Sequence, residues 1–223
     1  MGNHAYLSVW SRDSSEETRL EQFRSFLETI PFSADQPGSA SLMVRAVNTA
    51  EVPLVEVDLR GQSLPAGSVV DLVREHLNAD TAYEVTASWD VWIFAAEGKW
   101  KQVPQLVELI CRGREFDEGI WQEMGHFQVD AGLEHLFTGH AGILGTQEER
   151  VVTTEHPAEA AFLTAMMRPE NLREYHQKTR ENIKTLLDWV LRIERALPVE
   201  RYRLWSEGEE NFEARLDEIL AVR

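Results

Sequence analysis

The chain has 223 residues, 43% of them hydrophobic and 27% charged, which is ordinary globular usage and argues against disorder. With 22 Lys and Arg against 38 Asp and Glu, the formal charge is −16. Nucleic-acid phosphates would therefore meet a repelling surface, and a basic partner is the one that this sign favours. The single cysteine, Cys111, rules out an internal disulfide and reads as a small buried apolar residue.

No apolar run reaches the ~18 residues that a membrane span needs. The opening Met1-Gly2-Asn3-His4 lacks the basic-then-apolar order of a secretory signal. It also lacks the hydroxyl residue of a myristoylation pattern, where Tyr6 stands instead. The expectation is a cytoplasmic protein of a bacterium-like cell, with no membrane partner.

In chain order, residues 6–10 predict a strand. A helix then opens at Asp13-Ser14-Ser15, with Ser14 and Glu17 spaced as a capping box. Leu20, Phe23, Leu27 and Ile30 form its apolar stripe, and Pro31 ends it. Leu42, Val44 and Ala46 alternate in a second strand, Val55, Val57 and Leu59 in a third. Val69, Val70, Val73 and Leu77 mark a helix that stops near Asn78. The strongest strand signal follows: Tyr83, Val85, Ala87, Trp89, Val91 and Ile93 share one face, against Glu84, Thr86, Ser88 and Asp90 on the other.

To this point the order is that of a ferredoxin-like βαββαβ unit. A further hairpin is predicted from Leu106–Cys111 and Trp121–Leu133, with Asp117-Glu118-Gly119 in the loop. From Pro157 onward the pattern is helical, with Thr154 or His156 as the cap. A long amphipathic helix over 172–197 buries Leu172, Tyr175, Thr179, Ile183, Leu186, Val190, Ile193 and Leu197. Pro198 ends it, and short helices are predicted at 199–206 and 209–222. The fold class is thus α+β: an antiparallel sheet domain over residues 1–150, then a helical C-terminal region over 151–223 that packs on the sheet or on a partner. A homodimer through these helices is one form that such a partner takes.

The chemistry-bearing residues form no known reaction motif. There is no Gly-x-Ser-x-Gly elbow, no Cys-x-x-Cys pair and no dinucleotide fingerprint. The glycine series from Gly139 to Gly145 leads into Thr146-Gln147-Glu148-Glu149, whose carboxylates oppose a phosphate; it reads as a structural loop.

Two groups remain as site candidates. The polar faces of the two best strands supply a ligand-binding set of Asp90, Trp92, His126, Gln128 and Asp130, on what is otherwise an ordinary solvated face. Trp92 and Phe94 interrupt that polar face and are interface candidates, whereas Trp89 belongs to the core. The second set, His126, Asp130, His135 and His140, has the imidazole and carboxylate donors that suit a divalent metal such as zinc or iron, with ordinary surface histidines as the alternative.

The leading expectation is a non-catalytic acidic binding protein that needs no cofactor, of the kind that antagonises a basic protein, as an immunity protein does a secreted nuclease. From residue 51 to 150, 7 basic residues face 18 acidic ones, a balance of −11, whereas 151–196 carries 7 of each. The alternative is a metal- or small-molecule-dependent enzyme or sensor built on the His/Asp cluster.

Overall fold

A computed structural model describes residues 2–95, 98–140, 143–144 and 157–221. Seven strands form one antiparallel sheet: β1 (His4–Ser11), β2 (Ser39–Ala46), β3 (Val55–Asp58), β4 (Thr81–Phe94), β5 (Trp100–Arg112), β6 (Phe127–Leu133) and β7 (Val199–Ser206). Their spatial order is β3-β2-β4-β5-β6-β1-β7. The helices are α1 (Glu16–Leu27), α2 (Ala66–Asp71), α3 (Trp121–Met124), α4 (His135–Thr138), α5 (Pro157–Met166), α6 (Pro169–Ala196) and α7 (Phe212–Ala221). No helix among the described residues is long and apolar enough to cross a membrane.

The sheet is α+β and antiparallel as expected, but its order is not ferredoxin-like. A split βαβ unit sets its first strand beside later strands of the same unit. Here β1 lies between β6 and β7. The predicted helix over 199–206 is replaced by β7, which pairs along β1 from Ala5↔Ser206 to Ser11↔Val199. Its Glu200, Arg201 and Arg203 are the charges that an exposed edge strand carries to discourage further pairing.

Two more boundaries move. β5 starts at Trp100 rather than Leu106, paired through Phe94↔Trp100 and Asp90↔Pro104. Residues 121–124 are helix, so β6 begins only at Phe127. The first helix is capped one residue later than predicted. Ser15 Oγ accepts from Thr18 N (3.3 Å) while Thr18 Oγ1 accepts from Ser15 N (3.1 Å), which places Glu16 and Glu17 together in the first turn, where the dipole favours them. The predicted caps Thr154 and His156, and most of the glycine loop, lie outside the described residues.

The odd-numbered side chains of β4, Tyr83 to Val91, are fully buried and meet the helices. Phe23 of α1 stacks on Tyr83 at 5.4 Å and Phe26 packs on Phe127 at 4.8 Å. Trp189 of α6 meets Trp89 at 5.5 Å, and Phe137 of α4 meets it at 6.0 Å. The amphipathic stripe of α6 is therefore buried against its own sheet, together with Phe212, Leu216 and Ile219 of α7. Burying side chains of this size contributes ~1.5–3 kcal/mol each. Cys111 lies in this core, where burial pushes its thiol up to about 12 and leaves it unreactive.

Candidate functional site

Most of the helices pack on one side of the sheet, and the other face, met by α3 at His126 and by Lys178 of α6 at Trp92, has a register that can be read across all seven strands. One row runs Asp58, Ser41, Thr86, Glu108, Asp130, Tyr6, Trp205. The row beside it runs Glu56, Met43, Glu84, Ile110, Gln128, Ser8, Arg203. Side chains across such a row sit ~5 Å apart and those along a strand ~7 Å apart, so Glu84, Glu108 and Asp130 form one acidic centre.

Each acid has a distinct setting. Glu84 Oε1 accepts from Arg45 Nε at 3.0 Å. Asp130 is held by His4, whose Nδ1 lies 2.8 Å from Oδ2, and it also accepts from Gly132 N at 2.8 Å. Glu108 makes no ion pair among the described residues, and its carboxyl is raised by partial burial and by the charges of Asp130 and Glu84. On the β1–β7 side, Tyr6 stacks on Trp205 at 4.4 Å and donates to Glu207 Oε1 at 3.0 Å. Burial and that carboxylate raise the Tyr6 phenol, which stays protonated. Trp205 Nε1 donates to Ser8 Oγ at 3.1 Å and fixes its ring. The result is an acidic centre flanked by an aromatic shelf.

Of the predicted ligand-binding set, only Gln128 and Asp130 share this centre. Gln128 is buried and accepts from Arg112 Nη2, so it orders the sheet beneath the surface. Asp90 accepts from Ala34 N at 3.1 Å, and Gln36 accepts from Ser88 Oγ at 2.7 Å; the 31–38 loop thus closes over that end of the face. Trp92, two residues beyond Asp90 on β4, lies under Lys178, whose Nζ is 3.5 Å from the ring centroid. His126 stacks beneath Trp121 at 4.3 Å and its Nδ1 accepts from Ser11 N at 3.2 Å. Burial holds its imidazole down at about 4.

The four predicted metal ligands are not brought together. His126 and Asp130 share a strand face, yet four residues of strand separate them by ~13 Å, too far for one ion. His135 and His140 meet at 5.8 Å on a different part of the molecule, beyond the end of β6. No group of three or more His, Cys, Asp or Glu among the described residues is placed to hold a metal. His4, Tyr6, Glu108 and Trp205 were not among the residues predicted from sequence. Glu108 follows an apolar Val107 on a strand whose register only the structure supplies, and the others come from the two strands most distant in sequence.

No protein-family model, curated protein or solved structure matches the chain.

Proposed function

We propose that the protein is a non-catalytic binding protein whose open sheet face receives a basic protein partner, in the manner of an immunity-type antagonist. The observation that carries this reading is Glu108, held between Asp130 and Glu84 with no cation of its own among the described residues, on a face that no helix covers at its centre. Crowded carboxylates cost stability in the free protein, and an incoming Arg or Lys would relieve that cost on binding. The neighbouring Tyr6–Trp205 shelf offers a rigid apolar platform with polar edges, the kind of surface that anchors interfaces. A chain charge of −16 would steer such a partner towards it.

The test compares two charge reversals. Glu108→Arg with Asp130→Arg alters the open face; Glu16→Arg with Glu17→Arg alters the exposed start of α1. Affinity capture from the source cells should yield a protein of high isoelectric point that the first pair loses and the second retains. Its association rate should fall steeply from low to high salt. Equal capture by both variants, or a rate indifferent to salt, would refute the proposal.

A further inference from the structure

Among the described residues the sheet has two free edges. β3 pairs only with β2, β7 pairs only with β1, and every pairing between neighbours is antiparallel. Direction therefore alternates across the seven strands, and the two edge strands run the same way. Their charges differ in sign. On the open face β3 carries Glu56 and Asp58, whereas β7 carries Arg201 and Arg203.

Neither arginine has an ion pair among the described residues. Arg201 Cζ lies 4.0 Å from the centre of the Trp10 ring, and Arg203 Cζ lies 5.3 Å from that of Trp205. Arg203 Nη2 donates to a backbone carbonyl, Glu123 O, at 3.4 Å. At the other edge Glu56 is exposed and likewise has no ion pair among the described residues, while Asp58 holds Arg60 at 2.6 Å.

The backbone suits the same pairing of edges. Leu204 N turns outward to Glu213 Oε1 at 2.9 Å, and Leu59 N turns inward to Ala40 O at 2.9 Å. By the two-residue period, Tyr202 presents its N–H and C=O on the free edge of β7, and Glu56 and Asp58 present theirs on the free edge of β3. With Tyr202 opposite Val57 in a parallel pair, its N–H meets Glu56 O and its C=O meets Asp58 N–H. In that register Glu56 faces Arg201 and Asp58 faces Arg203. On the helix side Tyr202, 41% exposed, meets the partly buried Val57, an aromatic and β-branched combination that favours neighbouring strands.

We propose that the protein self-associates head to tail, with β3 of one copy adding in parallel to β7 of the next. Two β7 strands repel each other, since pairing them sets arginine against arginine. The contact joins two different edges, so each added copy leaves a free edge behind it and growth does not stop at a dimer. A twist of ~20–25° per strand rotates each copy by ~140–175° along the ribbon, which gives an open chain and not a closed ring. Each contact is weak, because the parallel ladder is short and the chain charge is −16.

Sedimentation and light scattering of the full chain test this in ~0.15 M salt, which screens charges beyond ~8 Å. The weight-average mass should rise steadily between ~10 µM and ~1 mM and pass that of a dimer. Arg201→Glu with Arg203→Glu should abolish the rise. So should Glu56→Arg with Asp58→Arg, although this second pair lowers the net charge. An equimolar mixture of the two variants should recover association, because each supplies the edge that complements the other. A mass that stays monomeric, a rise that ends at the dimer, a rise that either pair leaves intact, or a mixture as inert as its parts would overturn the proposal.

Discussion

The carboxamide of Asn182 on α6 pairs with the backbone of Trp92 as a neighbouring strand would: Trp92 N donates to Oδ1 at 2.8 Å and Nδ2 donates to Trp92 O at 3.0 Å. The same Nδ2 reaches Leu136 O at 3.0 Å. Beyond Ala87 the strand β4 has no partner in β2, so one buried side chain of a helix continues the ladder there. Asn182→Ala should leave two or three buried backbone groups without partners and lower stability by ~2–4 kcal/mol. Asn182→Asp restores only the acceptor and should be nearly as damaging. Urea midpoints close to the parent for both would show that water replaces the amide without loss.

A second point of tight accounting is Gly113. A Cβ built there would stand 2.2 Å from Ala79 O and 2.2 Å from Arg19 Nη1. Arg19 is buried without an ion pair among the described residues. Its Nη2 donates to Asn78 O (2.6 Å), Thr81 Oγ1 (3.1 Å) and the Tyr83 hydroxyl (3.3 Å). Gly113→Ala should cost ~2–4 kcal/mol by displacing that guanidinium. Arg19→Lys should also destabilise, since an ammonium reaches fewer of these acceptors. Because both changes disturb one contact, the double variant should be less destabilised than the two losses combined; strict additivity would show the sites to be independent.

Stability should fall on mild acidification, and His126 is one source. Above pH 6.5 the imidazole is neutral in both folded and unfolded chains. Below 6.5 the unfolded chain takes up a proton that the folded one refuses until about pH 4. The stabilisation is thus complete above 6.5 and lost between 6.5 and about 4, with a slope of at most ~1.4 kcal/mol per pH unit. His135 and His176 are lowered too, chiefly by burial, and steepen the parent's dependence in the same direction. His126→Gln should therefore show a smaller drop than the parent between pH 7 and 5 in chemical denaturation, and an identical drop would dismiss His126 as a contributor.

Glu108 should trade stability against binding. Its raised pKa means that ionisation costs the folded state, a cost absent below the ordinary carboxylate pKa and complete once pH passes the folded value. At neutral pH, Glu108→Gln should stabilise the protein by a few tenths of a kcal/mol, the figure being small because the side chain is half-exposed and screened. The same variant should bind the proposed basic partner more weakly. A stabilised variant with full affinity would separate the strain from the interface.

Much of the fold was legible where one face of an element is wet and the other dry. The alternation of Tyr83 to Ile93 and the stripe of Tyr175, Ile183, Leu186 and Val190 each predicted an element and its buried side. β7 was not legible, because a two-residue alternation of Val199, Arg201, Arg203 and Trp205 is masked when charges occupy both faces of an edge strand. The start of β5 was hidden by Lys101, Gln102 and Pro104, which suit a strand only where its ends run beyond the core. The site was harder still. Asp130 was visible as a candidate, but its partner is His4 and not His126, and no spacing rule links two residues 126 positions apart.

The place of β1 in the sheet has a consequence for how the chain is made. Of the seven strands β1 is synthesised before the other six, yet it pairs with β6 on one side and β7 on the other, and Ala5 finds its partner Ser206 only after some 200 further residues have been joined. At ~5–20 residues per second that is a wait of ~10–40 s, during which Leu7 and Val9 have no core to enter. Chains arrested before residue 199 should accordingly be cut by protease within β1, while the β2–β4–β5 hairpins, whose partners are near in sequence, are already protected. Protection of β1 in such chains would mean that β6 alone is enough to hold it. The pairing thus predicts a folding order that runs against synthesis, with β1, made before the other six strands, settling among the last.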